Sequence, residues 1–329
     1  MNISPFASSS SLPGHGSIIL SVLPPSKPVL ETLSFQYPLK LIAPQAITLP
    51  GYEEANLSSL IHTVYLLTYG GGLVAGDSIN LRVVLASACR LILLTQGSTK
   101  IFKSPSRNVL TTQLSSFDIG NGAALCYLPD PVQPFGDSAF EQKQMYNITG
   151  AKANLCVCDW VSEGRTARGE KWSFHTYTSR NEIFLVSSEE KRKLMLRDNM
   201  ILDNHDGINE SVVGRMKDMG VFGTLILCGN MFRKLGQYFM AEFKALPQIG
   251  SRQWDVPEAL TAQQAERAER VEQEKKDGLL WTAASLRGFV VVKFGAKEVE
   301  GAKRWLKHML KIEGTVEQEF GERALLCLR

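Results

Sequence analysis

Residues 79–85 read Ile79-Asn80-Leu81-Arg82-Val83-Val84-Leu85. Ile79, Leu81, Val83 and Leu85 fall on one side, and Asn80, Arg82 and Val84 on the other. This is the period-2 pattern of a half-buried strand. Similar runs lie on both sides of it. Upstream are Ser17–Val22, ended by Pro24-Pro25, and Ile61–Tyr69, which stops at Gly70-Gly71-Gly72. Downstream are Arg90–Thr95 and Val109–Phe117, then Ala123–Tyr127, entered through the hairpin-type turn Gly120-Asn121-Gly122. Phe140–Ile148, Asn154–Val161, Trp172–Thr178 and Ile183–Val186 continue the series. Turn signals recur about every 8–15 residues, which predicts a mainly β protein: a large antiparallel, strand-wound structure, β-helix-like or a sandwich. No long helix is expected before residue 190.

The C-terminal third adds two α-helices to strands at Phe222–Cys228 and Phe289–Phe294. Pro257–Lys276 has weak apolar positions and high charge, so it is expected to lie exposed or to pack lightly. Glu298–Ile312 places Val299, Ala302, Leu306, Met309 and Leu310 on one face, with Gly314 as its C-cap. The expected organisation is a Ser- and Pro-rich disordered segment at 1–13 followed by one domain at 14–329. Its β core covers about 14–250, with helical elements at about 257–277 and 298–312.

The chain has 329 residues, 36 Lys and Arg against 33 Asp and Glu, and a formal net charge of +3. So small an excess gives no basic footprint and argues against nucleic acid as the main partner. No apolar run reaches the ~18 residues a membrane helix needs, and the N-terminus lacks the pattern of a secretory signal. Six cysteines in this length do not make a disulfide scaffold, so free thiols in a reducing compartment are expected.

Four stretches carry chemistry-bearing residues. Gly70–Asp77 and Gln96–Lys100 offer backbone N–H groups, hydroxyls, an amide and an ammonium. They fit either a β-rich enzyme holding a phosphorylated ligand or a pair of glycine-permitted turns. P-loop spacing is missing, and a strand rather than a helix follows the first loop. Cys156 and Cys158 share one face of a strand; they are two metal ligands or two small buried side chains. The stretch from Asp159 through Trp160, Glu163, Arg165, Arg168 and Glu170 to Trp172 is a charged loop between tryptophans. It is either a partner surface or a salt-bridged turn. Leu128–Phe135 has three prolines around Asp130 and cannot be a central strand.

Taken in order, Gly71-Gly72-x-x-x-Gly76-Asp77, Leu94-Thr95-Gln96-Gly97-Ser98-Thr99-Lys100, Tyr127-Leu128-Pro129-Asp130-Pro131-x-x-Pro134-Phe135 and Asp159-Trp160-x-x-x-Gly164-Arg165-x-x-x-Gly169-Glu170-x-Trp172 resemble the urease accessory protein D family. The likeness is clear over about 14–185 and fainter afterwards. It implies a cytoplasmic, non-catalytic chaperone that binds apo-urease. With accessory proteins F and G, the latter a GTPase, such a chaperone assists nickel insertion. The family is proposed to pass nickel through an internal polar passage, so nickel would be bound transiently, with no tightly held cofactor. Mapped by motif position, Asp77, Gln96, Ser98, Thr99, Asp130 and Asp159 are the candidates for a polar lining. Glu163, Arg165, Arg168, Glu170, Trp160 and Trp172 are candidates for the partner surface or for structural ion pairs. Cys156 and Cys158 lie outside the shared pattern, and any metal role for them is additional. Ligands such as carboxylates, amides and hydroxyls hold Ni²⁺ briefly, which suits transfer better than a thiolate cage.

Overall fold

The computed structural model describes residues 12–24, 26–49, 60–150, 152–187, 191–204, 211–246 and 262–329. Strands β1 (His15–Leu23), β2 (Lys27–Phe35), β3 (Leu39–Ile42) and β4 (Ile47–Thr48) come first. The chain then winds in four coils. The first is β5 (Leu60–Thr68), β6 (Gly72–Leu73) and β7 (Ser78–Leu85); the second is β8 (Arg90–Leu94), β9 (Lys100–Ile101) and β10 (Thr111–Ile119). The third is β11 (Ala124–Tyr127), β12 (Gln133–Pro134) and β13 (Ala139–Thr149). The fourth is β14 (Asn154–Ser162), a 3-10 turn at Thr166–Arg168, and β15 (Thr176–Val186). Coils begin at Leu60, Arg90, Ala124 and Asn154, or about every 30 residues.

Each of the first three coils puts its first strand in one sheet, its second in a small edge sheet and its third in another large sheet; the fourth has the 3-10 turn in place of the edge strand. Within the coils every pairing is parallel: β5-β8-β11-β14, β6-β9-β12 and β7-β10-β13-β15. Antiparallel neighbours appear only at the margins, among them β2 on β1, β3 and β4 on β5, and β16 (Arg192–Asp203) on β15. On the other flank β17 (Val221–Cys228) lies antiparallel on β14, followed by β19 (Phe289–Ala296) and β18 (Leu280–Leu286). Among the described residues strand outweighs helix, 47% against 23%, so the class is mainly β.

The antiparallel expectation fails at the centre. Period-2 burial reports which side chains are inside, and it is silent about the direction of the neighbouring strand. Gly120–Gly122 forms no hairpin, because β10 and β11 belong to different sheets. Short turns suffice because each coil steps to another sheet instead of crossing over by a helix.

Five α-helices occur among the described residues, where two were expected: α1 (Val212–Met216), α2 (Arg233–Lys244), α3 (Ala262–Lys276), α4 (Val299–Glu313) and α5 (Thr315–Phe320). The α4 prediction holds to within a residue at each end, and Gly314 caps it with φ 86°. Helix α2 falls inside the span expected to be β core. Its burial rests on few residues, chiefly Leu235 and Phe239, one turn apart. Pro257–Leu260 lie outside the described residues. From there on, most of α3 is exposed or half-buried, and the exceptions are two charged residues. Arg270 and Glu274 are each 7% exposed. Arg270 lies 2.9 Å from Glu242 of α2 and 3.0 Å from Glu274. Glu274 also accepts hydrogen bonds from the indole N–H of Trp305 at 3.0 Å and of Trp281 at 3.4 Å. Ion pairs attach this helix, and an apolar-periodicity argument cannot see them.

The result is three layers: an outer sheet, an inner sheet and the helices. One apolar cluster fills the space between the sheets, and a second lies between the inner sheet and α2, α4 and α5. The inner sheet is therefore covered on both faces. Leu91-Ile92-Leu93-Leu94, continuous rather than alternating, is buried throughout.

Candidate functional site: a polar seam between the sheets

In the outer sheet, strand register lines up Gln113, Gln142 and Ser179 across β10, β13 and β15, and Ser115, Gln144 and Asn181 beside them. All six are buried. The adjacent register position brings Asp198 of β16 opposite Asn181. On the inner sheet Asp159, Thr224 and Lys293 are register partners across β14, β17 and β19. The apolar sandwich is thus interrupted by a hydrophilic band.

Asp159 sits at its centre and is 6% exposed. Its carboxylate accepts from Gln142 Nε2 at 3.0 Å, Ser179 Oγ at 2.5 Å and Asn181 Nδ2 at 2.6 Å. These donors are neutral, and burial pushes its pKa above the usual carboxylate value. The nearby Asp198 adds to the rise, while the three hydrogen bonds oppose it. Burial likewise raises Tyr127, Tyr146 and Tyr177. Lys293 Nζ lies 2.6 Å from Asp198 Oδ1 and 3.0 Å from Thr224 Oγ1. Asp198 Oδ2 and Asn181 Oδ1 are buried and have no hydrogen-bond partner among the described residues.

An internal cavity of about 20 Å³ lies along the band, with Asp130 and Asp159 both in its wall and Thr99, Gln113, Gln142 and Gln144 between them. That is room for about one water-sized species. Asp130 is 7% exposed. It accepts from Gly97 N at 2.9 Å and Thr95 Oγ1 at 3.2 Å, and it pairs with Lys303 of α4 at 2.7 Å.

The coils explain the motif order. Gly70–Asp77, Gln96–Lys100, Leu128–Phe135 and Glu163–Trp172 occupy the same corner of successive turns, so distant signatures are stacked neighbours. In the first, Gly70 and Gly71 adopt φ 71° and 75°, as a side-chain-bearing residue rarely does. In the last, a Cβ on Gly164 would stand 2.8 Å from the Glu170 carbonyl oxygen.

Of the six lining candidates, Thr99, Asp130 and Asp159 border the cavity. The other three do not. Asp77 closes its own turn by accepting from Val74 N at 2.9 Å, Gln96 is exposed and Ser98 is half-buried in its loop. These three corner positions needed backbone geometry more than a lining. The partner-surface candidates also divide. Trp160 and Trp172 are each 1% exposed, so neither indole presents a binding face. Their N–H groups donate to Pro129 O and Met219 O, both at 2.8 Å. Arg165 and Glu170 form a bidentate ion pair, with the guanidinium 4.1 Å from the Phe135 ring centre. Arg165 holds the Glu170 carboxyl down at about 2. Arg168 is exposed on the 3-10 turn. Glu163 lines a cleft of about 810 Å³ together with Lys171, Asp218, Lys297 and Glu298, and burial raises its pKa.

Cys156 and Cys158 belong to the apolar layer under the helices, and Cys158 also borders the small seam cavity. Cys126 lies beside Cys156, and burial raises the Cys158 thiol. No carboxylate or imidazole among the described residues completes a ligand set of three with them. Among the described residues no group of three His, Cys, Asp or Glu side chains is placed to hold a metal ion. Sequence reasoning missed Gln142, Gln144, Ser179, Asn181, Asp198, Thr224, Lys293 and Lys303. One signal was present: Phe140, Gln142, Gln144, Tyr146 and Ile148 alternate on one strand face, placing two amides among core positions.

The model of the UreD urease accessory protein family matches residues 15–327. A Schizosaccharomyces pombe protein described as an uncharacterized urease accessory protein ureD-like is 30% identical over 273 residues, covering 82% of this chain and 84% of its own. Urease accessory protein 4 of Cryptococcus neoformans var. grubii is 30% identical, covering 92% and 91%. Urease accessory protein UreD of an Anaeromyxobacter species is 29% identical, covering 83% and 76%. A match along nearly the whole length, with the signatures stacked on one corner of a wound β core, makes this chain a member of the UreD urease accessory protein family.

Proposed function

We propose that the chain serves urease maturation as a non-catalytic scaffold that binds apo-urease and, with accessory proteins F and G, guides nickel into the urease active site along the seam between its sheets. The observation that carries this reading is the row of buried Asp130 and Asp159 and part-buried Asp198, joined by amides and hydroxyls through an otherwise apolar core. A hydrophilic band in such a place costs stability wherever its groups are not hydrogen-bonded or paired, and Asp198 Oδ2 and Asn181 Oδ1 have no such partner among the described residues. Single carboxylates with amide and hydroxyl neighbours bind a borderline divalent cation weakly enough to release it. Nickel is the cargo here, so no resident cofactor is required. The competing reading, a phosphorylated ligand at Gly70–Asp77 and Gln96–Lys100, lacks comparable support, since neither loop lines either of the two large clefts. The reading is tested by reconstituting urease activation in cells that lack the native counterpart. This chain restores activity and co-purifies with apo-urease; restoration without association would overturn the scaffold role.

A further inference from the structure

Two of the seam's three carboxylates already hold a cation. Lys303 of α4 sits 2.7 Å from Asp130, with side chains 15% and 8% exposed. Lys293 of β19 sits 2.6 Å from Asp198, with side chains 36% and 11% exposed. Asp159, between them, is met by neutral donors only. The lysines are thus the outer members of the row and the more exposed half of each pair, while the carboxylates are the inner members. Both come from the C-terminal part, outside the four coils. Lysine suits a displaceable partner: its ammonium is a compact charge on a flexible stem, whereas arginine would lock a carboxylate in a two-pronged grip.

We propose that Lys303 and Lys293 are tethered stand-in cations. Each neutralises a seam carboxylate when no metal is there, and each must swing outward before a divalent cation can be bound at that carboxylate. This deepens the function proposed above and rests on its reading of the seam as a cation path. The consequence is that the intact protein holds metal weakly because its own ammonium groups compete. A buried carboxylate can thereby be kept ready without a metal and without being left unpaired, which would be costly.

Calorimetric titration of the full-length chain with Ni²⁺ alone tests this. Lys293→Met and Lys303→Met are each expected to tighten Ni²⁺ binding by about tenfold or more, and Asp159→Asn to weaken it. Unchanged affinity in both lysine variants, with binding still sensitive to Asp159→Asn, overturns the stand-in role and leaves the cation path in place. Binding indifferent to all three substitutions overturns both. Since Lys303→Met leaves Asp130 unpaired and could impair folding, a second measurement uses the unaltered protein. Amine acetylation read by mass spectrometry should label Lys303 and Lys293 several-fold faster in Ni²⁺, relative to Lys275, whose partner Glu272 lies on the surface. Equal labelling with and without bound Ni²⁺ refutes the displacement.

Discussion

Replacing Asp159 with asparagine and with alanine separates the charge of the seam from its hydrogen bonding. Alanine strips an acceptor from Gln142 Nε2, Ser179 Oγ and Asn181 Nδ2. Gln142 Nε2 already donates to Ser179 Oγ at 3.1 Å and keeps that bond, but the Ser179 hydroxyl and the Asn181 amide both lose their acceptor beside a new void. An unmet buried donor costs ~1–3 kcal/mol, so with two of them the expected loss is about 2–6 kcal/mol. Asparagine keeps one acceptor oxygen, and its amide can donate to the unpartnered Asn181 Oδ1 after that side chain turns over. Its expected cost is under about 1 kcal/mol. The two also differ with pH. Asp159 is raised in the folded state, so between the usual carboxylate pKa and that raised value the folded protein binds more protons than the unfolded one. Stability of the parent therefore falls as pH increases through that window. The asparagine variant lacks this slope and gains on the parent as pH rises. Urea denaturation followed by circular dichroism at several pH values from about 4 upward reads both effects. An asparagine variant as unstable as the alanine one, or a pH-independent difference, would refute the description of the seam as a buried, hydrogen-bonded carboxylate.

Other substitutions read other parts of the structure. Arg270→Ala leaves Glu274 without a cation and Glu242 with Arg267 alone, and should cost ~3–5 kcal/mol in chemical denaturation. A loss below 1 kcal/mol would mean that α3 is held by something else. Asp77→Ala removes a turn contact worth about 1 kcal/mol and should leave urease activation intact, because Asp77 stands apart from the cavity. Loss of activation in the folded variant would return Asp77 to the path. Arg168→Ala should leave the melting temperature unchanged and weaken association with the urease complex; an unaltered pull-down would show that the turn makes no partner contact. Carboxyl NMR should find Glu170 titrating near 2. The stability from its pairing with Arg165 is present above the ordinary carboxylate pKa and is lost progressively as pH falls from there through about 2. A normal titration would dissolve the ion pair.

Burial patterns were the legible part of the fold. Ile79, Leu81, Val83 and Leu85 all face the core as alternation demands. Strand direction was not legible, because parallel and antiparallel neighbours cover a face equally well. The coil repeat escaped notice because what repeats is geometry: Gly70-Gly71, Gln96-Gly97, Pro129-Asp130 and Glu163-Gly164 turn similar corners with different residues. Asp130 and Asp159 were found because they lie in recognisable motifs. Lys293 and Lys303 were not, since each reaches the seam from a segment that looks like ordinary amphipathic structure and meets its carboxylate 95 or 173 residues away. Glu274 and Arg270 misled for the opposite reason: charges on a helix usually mark its wet face, and here they face Trp305 and Glu242.

The most direct test is nickel loading of urease by the folded Asp159→Asn protein in a reconstituted activation assay with the other accessory proteins. Association with apo-urease should persist while nickel content and urease activity fall at least tenfold. Full nickel loading by this variant would contradict passage of the metal along the seam.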